Sequence, residues 1–120
     1  MAKFNSLQDV KHFIYTETGK YSKEFGLPYS INFSNRMRTC LGRCRQHNKL
    51  GVPIRLEFTY NLKYLGSFKD NEEKIINTVL HEIAHGIAGA IHHHDRVWVQ
   101  AAQRIGCDGQ RLATGIKHTY

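Results

Sequence analysis

His81-Glu82-Ile83-Ala84-His85 is the stretch from which the rest of the chain can be placed. It lies in a run where Ile75, Ile76, Val79, Leu80, Ile83, Ala84 and Ile87 recur at helical spacing. That spacing predicts a long, mostly buried helix. Asp70 or Asn71 is expected to cap its start, with Glu72 and Glu73 in the first turn, where the helix dipole favours acids. On such a helix His81 and His85 share one face, and both imidazoles can reach a single ion. Glu82 is rotated about 100° from His81 and about 60° from His85, which sets its carboxylate beside an ion rather than on it. There it can take a proton from water held at the ion, as a hydrolytic zinc site requires. The competing reading is a surface helix that happens to carry two histidines and a glutamate. It fits poorly, because imidazoles on a buried helix need partners.

A catalytic zinc takes three protein ligands and leaves a fourth place for water. His92, His93 and His94 are the candidates for the third. On an unbroken helix His92 would share the face of His85 but lie about 10 Å further along the axis, out of reach of the same ion. A turn is therefore required, and Gly86 and Gly89 are expected to loosen the helix end and allow it. Spacing does not choose among the three histidines.

The run from Asn77 to Cys107, NTVLHEIAHGIAGAIHHHDRVWVQAAQRIGC, resembles the core of the SprT-like (Spartan-type) metalloprotease domain. In that family HExxH is followed by a variable loop and then by a histidine that leads into a helix as H-x-x-x-aromatic. His94-Asp95-Arg96-Val97-Trp98 matches that segment. The resemblance thus implies His81, His85 and His94 as zinc ligands and Glu82 as general base. The metzincin pattern would need Gly at position 88 and His at position 91, where this chain has Ala88 and Ile91. The resemblance also implies an α+β, zincin-like fold: an N-terminal helix, a small three-stranded antiparallel sheet, the HExxH helix and a C-terminal helix. It implies an endopeptidase acting on DNA-bound or DNA-crosslinked proteins, with single-stranded or junction DNA as partner and activator. Many relatives carry a cysteine-rich zinc ribbon after this core. Only Cys107 stands there, so residues 1–120 are expected to form one SprT-like domain without the ribbon.

The remaining features fit an ordinary globular domain. Seventeen Lys and Arg against ten Asp and Glu leave a net charge of +7, a balance that favours a polyanionic partner. Cys40, Cys44 and Cys107 form neither a four-cysteine zinc pattern nor a disulfide framework, which fits a reducing compartment. Met1-Ala2-Lys3-Phe4-Asn5 lacks the apolar core of a secretory signal, and no apolar run reaches the length of a membrane span. A monomer in the cytoplasm, or in the nucleus of a eukaryote, is expected, with no membrane partner.

Ser6 to Phe25 reads as an amphipathic helix, weakened at Gly19 so that two shorter helices can form, and ended by Gly26-Leu27-Pro28. Tyr29 to Met37, Arg38 to Gln46 and Val52 to Tyr60 read as strands of an antiparallel meander. Asn61 to Lys69 reads as a connection, and Asp95 to Ile105 as a helix with Val97, Trp98, Ala101, Ala102 and Ile105 inward. Trp98 is expected to pack behind the metal site. Asp95 is expected either in solvent or bonded to a ligand imidazole. From Gly106 to Tyr120 periodicity is lost, and His118 reads as a tail residue.

Two features of the sheet bear on partners. Arg36, Arg38, Arg43, Arg45, Lys49 and Arg55 cluster within about twenty residues, with Arg43 and Arg45 on one strand face. With Tyr29, Phe33 and His47 nearby, such a face can hold a phosphate backbone and stack on bases. Leu56 to Tyr60 is the candidate edge strand for pairing with a substrate peptide. Two further readings compete with the zinc endopeptidase. One is a nucleic-acid-binding module with a structural or vestigial zinc. The other is a metal-dependent hydrolase of non-peptide bonds, which the central glutamate of HExxH makes less favoured.

Overall fold

The computed structural model describes residues 4–89 and 92–109. The tail reading of residues 110–120, His118 included, lies outside the described residues. The elements are helix α1 (Leu7–Lys20), short helix α2 (Ser22–Phe25), strands β1 (Tyr29–Ser34), β2 (Gly42–Lys49) and β3 (Val52–Asn61), short helix α3 (Leu62–Leu65), long helix α4 (Phe68–Ala88) and helix α5 (Arg96–Arg104). None of the described helices is long and apolar enough to cross a membrane.

The first helix begins as expected. Ser6 Oγ accepts the Asp9 N–H at 3.1 Å, satisfying one of the donors that a helix start leaves open. The break falls at Tyr21, just past Gly19, and Gly26 closes α2 in the left-handed region at φ 68°.

The sheet corrects the sequence reading. It is three-stranded and mixed, in the order β1-β3-β2, with β1 parallel to β3 and β2 antiparallel to it. An antiparallel meander would need a tight turn after β1. Instead residues 35–41 form a loop that carries the chain past the place β3 later fills, and the β2–β3 hairpin then inserts β3 between its neighbours. Buried Asn61 holds that loop: its Nδ2 donates to the carbonyls of Met37 (3.1 Å) and Cys40 (2.9 Å), while its Oδ1 accepts Lys63 N–H at the start of α3. The expected second strand therefore starts later, at Gly42 rather than Arg38.

Register sorts the two sheet faces. Tyr29, Ile31 and Phe33 of β1 lie opposite Leu56, Phe58 and Tyr60 of β3, and across β3 Cys44 meets Phe58. This face is covered by helices: Phe25 and Tyr29 pack edge-to-face, Tyr15 of α1 meets Phe33, and α4 lies against Phe58. The other face carries Arg43, Arg45 and His47 of β2, Glu57 and Thr59 of β3 and Asn32 of β1, all partly or fully exposed.

Helix α4 starts earlier than expected, at Phe68, but Asn71 breaks it with φ −131° and ψ 24°. The regular helix that carries the site follows, with Glu72 in its first turn and its carboxylate accepting Phe4 N–H at 2.8 Å. Gly86 has a different role from the one its sequence position suggests. It is helical and buried, and a Cβ there would stand 2.9 Å from Phe25 Cε1 and 3.0 Å from Phe58 Cζ. Its lack of a side chain lets α4 approach β3. The chain turns at Gly89, whose φ of 98° only glycine adopts without strain. In α5, Trp98, Ala101 and Ala102 are buried as expected, and Ile105 just beyond it as well; Val97 faces solvent.

Candidate metal centre

Three imidazoles converge behind the turn at Gly89. His81 and His85 come from one face of α4, and His94 from the segment that enters α5. Their Nε2 atoms form a triangle with edges of 3.3 Å (His81–His85), 3.3 Å (His85–His94) and 3.1 Å (His81–His94). Three nitrogens bound tetrahedrally to zinc at about 2.0–2.1 Å would lie roughly 3.3–3.4 Å apart. The triangle therefore fits such an ion with hardly any movement. Neutral imidazoles are borderline ligands that suit Zn, Cu, Fe or Ni, so the donor set accepts a transition metal without naming one. Among the described residues this is the only group of three or more His, Cys, Asp or Glu placed to hold a metal ion.

The geometry chooses among the three histidines where spacing could not. His92 turns away and pairs with Asp95, Nδ1 to Oδ2 at 2.8 Å, and His93 is exposed. Asp95 lies in solvent, the first of the two expected placements, and bonds His92 rather than one of the three converging imidazoles. Its second oxygen accepts Trp98 N–H at 3.1 Å and so caps α5. These two bonds, His92 first, draw its carboxyl below the usual carboxylate range. By capping α5, Asp95 fixes the start of the helix immediately after His94.

Trp98 is the floor of the site. It is fully buried, with its indole centroid 4.6 Å from the ring of His81, 5.2 Å from His85 and 4.7 Å from His94. The indole stacks on His85 and meets His94 edge-on. Its N–H donates to the His81 carbonyl at 3.3 Å, which ties α5 to α4 at the level of the three imidazoles.

Glu82 faces β2. A Cβ on Gly42 would stand 3.3 Å from Glu82 Cγ and 3.0 Å from the Tyr60 ring, so Gly42 provides the notch in which both side chains sit. Burial pushes the Glu82 carboxyl well above the ordinary range, and the nearby Cys40 thiol adds to this; the Cys44 main-chain N–H and the Arg43 charge act in the opposite direction. Tyr60 is equally buried, and its phenol is pushed up by burial and then by the proximity of Glu82. The sequence reading missed Gly42, Cys44 and Tyr60 as neighbours of the site. Their signal was tertiary, since they stand 22 to 40 residues from Glu82 in the chain.

The edge strand beside the site is β2. The expected edge for a substrate peptide, Leu56 to Tyr60, lies instead in β3, which is central and paired on both sides. Asn61 N–H donates to Leu41 C=O at 2.9 Å. In an antiparallel ladder the pairing alternates, so Gly42, Cys44 and Gln46 turn their main-chain groups away from β3 and toward the edge next to Glu82.

The six basic residues are all at least partly exposed. Arg36 and Arg38 lie in the loop before β2, Arg43 and Arg45 on the uncovered face of β2, and Lys49 and Arg55 at the far end of the hairpin. Tyr29 and Phe33 do not join them, because their register places them under the helices on the opposite face. His47 does share the basic face, held by Glu57 at 3.1 Å.

The SprT-like family profile matches residues 11–118. The chain belongs to the SprT-like family. This family is one of metalloprotease-like domains, and the three-histidine cluster of this SprT-like chain agrees with that assignment. No curated protein and no solved structure matches the chain.

Proposed function

We propose that this SprT-like domain is a zinc-dependent endopeptidase, zincin-like in its site, acting on DNA-associated or DNA-crosslinked proteins. The observation that carries the reading is the convergence of the His81, His85 and His94 Nε2 atoms, with Glu82 next to His81 on the helix that borders the edge of β2. His81, His85 and His94 would hold the ion. Bound zinc supplies Lewis acidity toward a scissile carbonyl and toward water.

The chain's own groups do the rest. Glu82 Oε takes one proton from the attacking water as its oxygen bonds to the carbonyl carbon, then delivers that proton to the departing nitrogen as the C–N bond breaks. The Cys44 N–H favours the charged form of the Glu82 carboxyl and so opposes part of the rise that burial causes. Trp98 keeps the three imidazoles in register and closes the site from behind. A peptide paired with the outward main-chain groups of β2 other than the Cys44 N–H, which Glu82 occupies, would run past the metal in extended form. Support for a DNA-associated substrate comes from the net charge of +7 and the arginines on the uncovered face of β2.

The test is cleavage of a DNA-binding protein with and without single-stranded DNA, comparing wild type, Glu82→Gln and the double change Arg43→Ala with Arg45→Ala, each checked for bound zinc. Glu82→Gln should keep zinc and lose cleavage. The arginine pair should lose stimulation by DNA. Full activity in zinc-loaded Glu82→Gln would remove the mechanism.

A further inference from the structure

The far end of the β2–β3 hairpin is an arm with an apolar tip. Residues 48–55 are exposed without interruption. Three aliphatic side chains stand among them: Leu50 is 97% exposed, Val52 59% and Ile54 43%. The turn itself has positive φ at both central residues, 50° at Leu50 and 78° at Gly51. Such turns select Asn-Gly or Asp-Gly, and a branched apolar residue at the first position is disfavoured. Leu50 therefore neither packs into the core nor suits its turn, and the fold gains nothing visible from its side chain.

The surroundings of the tip are cationic. No Asp or Glu occurs between Glu24 and Glu57, a stretch that holds all six basic residues named above. Arg45, Lys49 and Arg55 make no ion pair among the described residues. A narrow two-stranded ribbon, unpaired cations on its sides and an aliphatic tip together match the chemistry of a duplex groove. An anionic membrane would satisfy the charge, but residues 44–55 contain no Trp, Tyr or Phe to anchor at an interface.

We propose that the β2–β3 arm enters the minor groove of duplex nucleic acid, with Arg45, Lys49 and Arg55 on the phosphates and Leu50 wedged against a base step. The inference rests on the nucleic-acid part of the proposed function and gives it a geometry. Lys49 is seven residues along β2 from Gly42, roughly 23 Å at strand rise. The duplex would thus be held at the far end of the strand whose near end borders Glu82, and a protein carried on that duplex would lie along the β2 edge.

The experiment uses the full chain, loaded with zinc, and a fluorescent duplex with a central TA step, which is easily unstacked, carrying 2-aminopurine at that step. Wild type, Leu50→Asn and the pair Lys49→Ala with Arg55→Ala are compared by anisotropy across a salt series. Sedimentation with phosphatidylserine vesicles runs in parallel. Asn suits the turn better than Leu, so Leu50→Asn should melt at or above the wild-type temperature. It should nonetheless bind the duplex at least tenfold more weakly and lose the 2-aminopurine signal, with an unchanged salt slope. The double change should lower the slope by about two. Leu50→Asn that binds and unstacks like wild type overturns the wedge and leaves the nucleic-acid reading standing. No duplex binding by wild type overturns the arm proposal, and the nucleic-acid reading falls with it only where single-stranded DNA also fails to stimulate cleavage. Vesicle binding that needs Leu50, beside duplex binding that does not, assigns the arm to a membrane and overturns the proposal.

Discussion

Removing His94 should abolish the thermal stabilisation that zinc confers, whereas removing His92 should not. The Nε2 triangle, with edges of 3.1 to 3.3 Å, is already close to a tetrahedral zinc geometry, so binding costs little rearrangement. A ligand that binds only the folded state at 100 times its Kd stabilises that state by about 2.7 kcal/mol. For a chain of 120 residues, the unfolding entropy is roughly 0.25 kcal/mol/K, so Tm should rise by about 11 °C. If His94→Ala raises Kd a hundredfold, the same zinc concentration yields only about 0.4 kcal/mol, a rise under 2 °C. His92→Ala loses only its bond to Asp95 and should keep nearly the whole rise. The assay is differential scanning calorimetry of chelator-treated protein, with zinc titrated back. A full zinc-dependent rise in His94→Ala, or its loss in His92→Ala, would refute the assignment of the third ligand.

Gly86→Ala should destabilise the protein by about 1 kcal/mol, because overpacking of about 1–3 kcal/mol against the Phe25 and Phe58 rings outweighs a helix-propensity gain of about 1 kcal/mol; urea titration measures it, and a stabilised variant would mean the rings yield freely. Trp98→Ala should cost about 3–5 kcal/mol and also weaken zinc binding, since the indole packs on all three imidazoles; a variant that melts lower but binds zinc as before would show that the ring contacts do not position the ligands. Thiol alkylation followed by mass spectrometry should label Cys40 in the native protein and spare Cys44 and Cys107, both buried. Burial pushes the Cys107 thiol up to about 11, so about one molecule in a thousand is thiolate there at pH 8 and labelling should climb as pH rises toward 11. Equal labelling of all three at pH 8 in the native protein would contradict the packing around Ala102 and Cys107.

Local pattern was enough to place the helices and the two candidate ligand histidines of α4. The apolar residues from Ile75 to Ile87 follow the helical period, so His81 and His85 share a face whatever the helix packs against. Ser6, Gly26 and Asp95 mark helix ends through short-range hydrogen bonds or backbone conformation that the residue types themselves favour. Strand positions were legible too, within a few residues, because alternation is also local.

What the chain order could not reveal was how strands pair. Antiparallel neighbours and a parallel pair with an inserted strand have the same alternation, and the choice was made by Asn61 holding the residue 35–41 loop and by the β2–β3 hairpin. That choice moved the site's edge from β3 to β2, brought Gly42, Cys44 and Tyr60 to Glu82, and put Tyr29 and Phe33 on the side away from the arginines. The selection of His94 over its two neighbours was likewise tertiary. The sequence alone determined that two imidazoles and a carboxylate would stand together on one helix, since helical geometry is periodic. Only the tertiary structure decided what completes the site, because contacts between distant segments depend on strand order and register, and neither is written in local periodicity.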